Sequence, residues 1–219
     1  MKVFSNTCTF DYSWEEVSTA NWRKYCPWNE KSTHVIAVDT LSRTVDPATG
    51  ILRTERLITC KQSVPDWLKT VFGSAICNNG ESQVFETSYV DPNARSVIMV
   101  SQNLTWSNLL SVQETVVYQP SEAAANQTKF VQDAKITALC GGWQRIRNAI
   151  EDSLVSRFHD NAVKGREGFE AVLAMSRRVF AEEKERERLM SSATAAAVAA
   201  AGNPFTVGAG QGEPMKMAQ

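Results

Sequence analysis

The most specific chemistry in the sequence lies between residues 157 and 164. Arg157, Asn161 and Lys164 are spaced i, i+4 and i+7, which at about 100° per residue puts them within about 60° of one another on a helix. They form one polar strip on the flank of an apolar stripe, near Ile146 and Ile150, away from the side that carries Asp160 and Glu167. Two cations and an amide beside an apolar wall suit a phosphate attached to acyl chains. The competing reading is that Arg157 and Lys164 snorkel over the edge of the core. A second feature is the segment Gln62 to Gly73, which crowds Val64, Pro65, Trp67, Leu68, Val71 and Phe72 into a stretch too apolar for an ordinary hairpin turn. It reads as a mobile lid over a cavity or a wedge into a membrane interface, where Trp is favoured, or else as a short amphipathic helix packed on the core. A third is Trp22-Arg23-Lys24-Tyr25, with Lys31 and His34 just beyond. These residues can face the helix strip if the first helix lines the cavity mouth, although cations at a helix C-terminus are favoured by the macrodipole in any case.

Other chemistries find little support. There is no Gly-x-Ser-x-Gly elbow, no His-Glu-x-x-His and no phosphate-binding Gly-x-x-x-x-Gly-Lys-[Ser/Thr], and no nucleophile has an evident base. His34 and His159 read as a strand residue and a solvated helix residue. Five cysteines, an odd number without a Cys-x-x-Cys pair, argue against a disulfide framework or a metal site. The reading is therefore of a protein with no catalytic residues, no cofactor and no metal. Lys plus Arg number 23 and Asp plus Glu 24, for a net charge of −1, so no global field draws the chain to nucleic acid, and any anion site must be local. The longest weakly apolar run, Ser191 to Ala201, falls short of the roughly 20 residues that span a bilayer. The first residues, with one cation and no apolar stretch, read as lacking a cleaved targeting signal.

The elements that must position these residues follow from periodicity. Val3 to Phe10 alternates as a strand, and Ser13-Trp14-Glu15-Glu16 spells a capping box, so a helix should begin at Trp14 and run to about Lys24, where Cys26-Pro27 turns the chain out of helical geometry. Six β-rich runs follow: His34 to Asp46, Ile51 to Lys61, Gln83 to Asp91, Ser96 to Trp106, Leu110 to Gln119 and Lys129 to Ala138. Short turns such as Asp46-Pro47-Ala48-Thr49-Gly50 and Asp91-Pro92-Asn93 make neighbours antiparallel. From Trp143 to about Arg188 no proline interrupts an apolar stripe of Ile146, Ile150, Leu154, Phe158, Ala162, Gly165, Phe169 and Leu173. The expected class is α+β: a curved seven-stranded antiparallel sheet gripping a long C-terminal helix around a cavity suited to a large apolar ligand. Residues 1–180 form the domain, 181–190 a solvent-exposed helix end, and 191–219 an Ala/Gly-rich disordered tail.

Several stretches together point to a family. Asn21-Trp22-Arg23-Lys24-Tyr25, Ser32 to Asp39, Arg53 to Ile58, Val64-Pro65-Asp66-Trp67, Asn103 to Leu110 and Arg157 to Gly165 occur in the order seen in the PRELI-domain family of mitochondrial phospholipid-transfer proteins, which the chain resembles from Met1 to about Val179. The run from Asn103 to Pro120 is similar to the slowmo-like branch. The resemblance implies a lipid cavity with a lid, and carriage of an acidic phospholipid from the outer to the inner mitochondrial membrane. It also implies residence in the intermembrane space, transient contact with the membrane surface, and a heterodimer with a small helical twin-cysteine-motif protein. Carried over residue by residue, the basic pocket falls on Lys24, Arg157, Asn161 and Lys164, and the lid on Val64 to Phe72. For this branch the implied cargo is phosphatidylserine, supporting phosphatidylethanolamine supply; sister branches imply phosphatidic acid for cardiolipin supply. Two departures bear on head-group preference: the family's Tyr-Pro-Asn-Pro turn reads Tyr25-Cys26-Pro27-Trp28-Asn29-Glu30, and a pocket-floor position that is Lys in phosphatidic acid carriers is Cys60, followed by Lys61. A lipid-binding regulatory module that transfers nothing, and an enzyme acting on lipid in the same cavity, are the other readings.

Overall fold

The computed structural model describes residues 1–61, 69, 73, 80–124, 126–141 and 144–200, and for 198–200 the backbone only. Of the lid expected at Val64 to Phe72, every residue but Lys69 lies outside these residues.

Seven strands form one antiparallel sheet: β1 (Lys2–Phe10), β2 (Val35–Val45), β3 (Leu52–Lys61), β4 (Glu81–Asp91), β5 (Ser96–Asn103), β6 (Leu110–Pro120) and β7 (Thr128–Ala138), in the order β1-β7-β6-β5-β4-β3-β2. Consecutive strands from β2 to β7 are neighbours, as short turns demand. β1 closes the far edge by pairing along its length with β7, from Lys2 opposite Ile136 to Phe10 opposite Thr128. The turns are pinned by their first residue. Asp46 accepts from Ala48 N at 2.9 Å and Thr49 Oγ1 at 2.7 Å, and Asp91 accepts from Asn93 N at 2.8 Å and Ala94 N at 2.9 Å. Gly50 supplies the positive φ, 73°, that the first turn requires.

The strands fall within two residues of the periodicity ranges, with one exception. β5 stops at Asn103 rather than Trp106, because the Asn103 side chain takes over the backbone of the following turn, accepting from Val112 N at 2.7 Å and donating to Thr105 O and Leu110 O at 2.9 Å. Trp106 then adopts a positive φ of 59°.

Helix α1 (Trp14–Ala20) starts where the capping box puts it, with Glu16 N donating to Ser13 Oγ at 3.3 Å and Ser13 N to the Glu16 carboxylate at 2.9 Å. It does not run to Lys24. After Ala20 it tightens into a 3-10 turn, Asn21–Arg23, in which the Asn21 side chain is buried against Met99. A second 3-10 turn, Glu30–Ser32, had no signal in the periodicity.

Helix α2 spans Gln144–Ala200. Its buried positions Ile150, Phe169, Val172 and Leu173 face the sheet, and Phe169 meets Phe10 at 5.3 Å and Tyr118 at 5.9 Å between ring centroids. The main core gathers Phe10, Trp14, Val17, Val97, Val116, Tyr118 and Phe169. The tail reading from Ser191 is corrected: α2 continues through residues 191–200, since alanine has the best intrinsic helix propensity and Ser191 to Ala200 contains neither glycine nor proline. Contacts divide the chain into a unit of Met1–Arg177 and a second beginning at Arg178, slightly before the expected boundary at 180. In the second unit the described side chains, as far as Ala197, are all exposed, and Arg178–Glu182 and Arg188–Glu185 pair along the helix surface. Among the described residues no helix is long and apolar enough to cross a membrane.

Candidate functional site

The covered face of the sheet is organised in rows. Pairing sets Arg56 opposite Glu86, Glu86 opposite Ser101, Ser101 opposite Glu114 and Glu114 opposite Ala134. A single rung of charge and hydroxyl therefore crosses four strands on the face that elsewhere carries Val97, Met99, Val116 and Ile136. Arg56 and Glu86 are both buried and joined twice, Nε to Oε1 at 2.9 Å and Nη2 to Oε1 at 2.5 Å. The Arg56 guanidinium also stacks over Trp22 at 5.3 Å and Tyr25 at 6.0 Å. Glu114 accepts from Ser101 Oγ at 3.1 Å and Gln132 Nε2 at 2.5 Å. Among the described residues its hydrogen-bond partners are neutral.

Lys24 lies within electrostatic reach of this rung. Its carbonyl accepts from the buried Asn29 side chain at 2.7 Å, and Asn29 Oδ1 accepts in turn from Lys31 N at 3.2 Å. The Tyr25 phenol, then Tyr118, Glu114 and Glu86, hold the Lys24 ammonium well above the ordinary lysine range against the opposing effect of burial. Tyr25 exerts that effect only once ionised. The Tyr118 phenol is pushed up to about 12 by burial and stays neutral. His34 is lowered by burial and by the charges of Lys24 and Lys164, which places its ring in the same electrostatic neighbourhood as both lysines.

The loop that carries Lys24 is docked on α2 through Gly168. A Cβ at this glycine would stand 2.8 Å from both Asn29 Oδ1 and Lys31 Cβ, and Lys31 Nζ pairs with Glu167 beside it at 2.8 Å. Overpacking at such a contact costs about 1–3 kcal/mol. Gly168→Ala is accordingly expected to lower the urea unfolding free energy by up to about 2 kcal/mol, the overpacking cost less the roughly 1 kcal/mol that alanine gains over glycine inside a helix; a raised midpoint would show that the loop yields freely.

Between α2 and the sheet lies a cavity of about 70 Å³, lined by Lys24, Asn161, Gln132 and Asn6 together with Phe10, Cys8, Tyr118, Phe130, Ala162, Gly165, Arg166 and Phe169. The structure thus brings Lys24 and Asn161 to one space, from the end of the first helical segment and the long helix respectively. Arg157 and Lys164 share the helix flank with Asn161 but do not line the cavity; Arg157 is half-buried and Lys164 exposed. Cys60 is buried on the covered face of β3, where burial raises its thiol and keeps it uncharged, while Lys61 is exposed. Sequence reasoning passed over Glu86 and Gln132, and took Arg56 and Glu114 only as parts of matching stretches. The available signal was phase: each occupies an inward position in a strand whose other inward residues are apolar or small. The arrangement offers a cation and an amide toward an anion, a carboxylate-bearing floor, and aromatic walls for hydrocarbon.

Comparison with known proteins bears on the family and the fold. The chain is 48% identical over 187 residues to the protein UPS2, mitochondrial, of Saccharomyces cerevisiae, covering 85% of this chain and 76% of that one. It is 47% identical over 174 residues to the UPS-like protein C36.10 of Schizosaccharomyces pombe, covering 79% and 89%. With the protein slowmo homolog of Dictyostelium discoideum it shares 33% over 184 residues, covering 84% and 74%. Among solved structures, TTHA0849 of Thermus thermophilus and the Zhui aromatase/cyclase of Streptomyces sp. R1128 each match with a TM-score of 0.52 at 10% identity, covering 80% and 81% of this chain and 99% and 95% of theirs. At that identity the likeness is one of fold, a sheet gripping a helix. The model of the PRELI-like family matches residues 15–179, and on that match and these identities the chain belongs to the PRELI-like family.

Proposed function

We propose that this protein is a carrier, not an enzyme, which moves an acidic phospholipid, phosphatidylserine in preference to phosphatidic acid, between the outer and inner mitochondrial membranes. The observation that carries the reading is the cavity in which Lys24 and Asn161 meet beside Phe10, Phe130 and Phe169. The phosphate sits against Lys24 with Asn161 donating to it, Arg157 and Lys164 supply further positive charge from the helix flank, and the acyl chains enter between sheet and helix. A space of 70 Å³ is far below the several hundred that even a drug-sized ligand fills, so the helix and sheet must part to admit chains. Burying about 20 methylenes at about 0.8 kcal/mol each yields on the order of 16 kcal/mol, close to what the lipid gives up in leaving its bilayer. Extraction is then near balance, and an unpaired buried phosphate would tip it the wrong way. Relatives named as mitochondrial support the location; the intermembrane space, transient membrane contact and a small helical twin-cysteine-motif partner complete the proposal.

The test is transfer of labelled phosphatidylserine against phosphatidic acid between two liposome populations, with the small partner present, at low and high salt. Faster phosphatidylserine movement is expected. Faster phosphatidic acid movement would redirect the pathway toward cardiolipin supply, and binding without movement of either lipid would establish a regulatory module.

A further inference from the structure

A space of about 70 Å³ between α2 and the sheet holds no acyl chain, so one wall must move, and the ties across the walls are unequal. α2 is held firmly at both ends of its packed stretch. Near its start Glu151 accepts from Ala138 N at 3.0 Å, and towards the other end Arg177 donates to both oxygens of Glu16, at 2.7 and 2.9 Å. The segment 21–33, which leads from α1 to β2 and carries Lys24, is held differently. Asn21 Nδ2 donates to Met99 Sδ at 3.4 Å, and a thioether is a weak acceptor. Trp22 adds stacking against two guanidiniums, Arg43 at 4.6 Å and Arg56 at 5.3 Å. The contacts of Asn29 and Lys31, on Gly168 and Glu167, run to α2 and not to the sheet.

The packing at this point also leaves polar groups unmet. Asn21 is 2% exposed and Thr54, on the covered face of β3, 0% exposed. Among the described residues neither Asn21 Oδ1 nor Thr54 Oγ1 has a hydrogen-bond partner. Register sets Thr54 between Arg43 and Ser88, with Ser88 opposite Met99. Both orphans therefore belong to the patch of sheet whose Met99 and Arg43 meet Asn21 and Trp22. A buried polar atom without a partner destabilises whichever state buries it, and lifting the segment returns both atoms to water. Stacking holds the segment down against a polar penalty.

We propose that residues 21–33 form a strap that lifts off the covered face of β2 to β5 to admit the acyl chains, hinged at the 3-10 turn Asn21–Arg23, while α2 stays on the sheet. The proposal rests on the carrier reading and concerns which wall moves. Lys24 rides on the strap, so closing over the chains also brings its ammonium to the phosphate.

The experiment follows amide hydrogen exchange over residues 22–33 and over α2, with and without phosphatidylserine-containing vesicles, beside transfer between liposomes under the same conditions. In the wild type, vesicles are expected to speed exchange in the strap and not in residues 150–173 of α2. Asn21→Leu and Thr54→Val each remove an unmet polar atom at little change of volume, and each is expected to slow strap exchange and lipid transfer together, by about tenfold, while raising the melting temperature. Slower strap exchange with wild-type transfer rates would overturn the proposal, since the substitutions would then act on stability alone. Vesicle-induced exchange in α2 with a protected strap would overturn it as well. If Asn21→Leu fails to fold, Thr54→Val decides, because it exchanges a hydroxyl for a methyl and nothing more. A wild type whose strap opens on vesicles but which moves no lipid would uphold the strap and overturn the carrier reading.

Discussion

Replacing Lys24 with methionine is expected to lower transfer of an acidic phospholipid by about a hundredfold, the equivalent of about 2.7 kcal/mol. A hydrogen bond from an ammonium to a phosphate accounts for about 1.5–3 kcal/mol of this. The remainder is the cost of holding a phosphate in a partly buried space without its counter-charge. Methionine keeps the length and flexibility of the stem, and the Lys24 carbonyl still accepts from Asn29 at 2.7 Å, so the loop retains its anchor. Initial rates of dequenching between liposomes, read beside a thermal melt, check the result. Lys24→Arg, which preserves the charge, should recover most of the rate. A methionine variant that transfers within about fivefold of the wild type would mean that the phosphate never reaches this residue.

The largest effect on stability is expected at the other end of the rung. Glu86→Ala strands the buried Arg56 guanidinium, and breaking a buried ion pair by removing one partner costs about 3–5 kcal/mol. In a domain of this size that lowers the melting temperature by about 10 °C. Removing both charges, as Arg56→Leu with Glu86→Met, should return most of the stability, because the desolvation penalty disappears with the pair. The stacking of Arg56 over Trp22 and Tyr25 would be lost in the double variant, so incomplete recovery measures that contribution. A Glu86→Ala melt within about 2 °C of the wild type would show that water or a neighbouring carboxylate already compensates the guanidinium.

The sheet was legible because alternation and short turns both act locally: every strand after α1 is followed by its own neighbour, and Asp46, Gly50 and Asp91 mark the turns in the sequence itself. The shared flank of Arg157, Asn161 and Lys164 on α2 followed from spacing alone, since helical angle depends on nothing else; which of them reaches the cavity did not, and only Asn161 of the three lines it. The rung was not legible, because its members lie on β3, β4, β5 and β6, and only the tertiary register brings Arg56, Glu86, Ser101 and Glu114 into line. The docking of Asn29 on Gly168 was hidden likewise, by the length of chain that separates them. Composition misled at Ser191 to Ala200: an Ala-rich stretch with little to bury reads as unstructured, yet continuing an existing helix needs no new nucleus, and there alanine's propensity decides.

The rung has a further meaning for how the chain can change. Side chains in a strand alternate between faces, so a slip of one residue turns a whole strand over. If the turn Asp91-Pro92-Asn93-Ala94-Arg95 lost one residue and β5 moved to compensate, Glu86 would meet Val100 or Gln102 in place of Ser101, and Glu114 would lose the hydroxyl that holds it. Surface turns are usually where insertions and deletions are tolerated. Here the turns that touch no ligand set the alignment of the residues that do, so their length is constrained while much of their composition is free. Between related chains, drift is therefore expected to appear in these hairpins as substitution and scarcely ever as gaps.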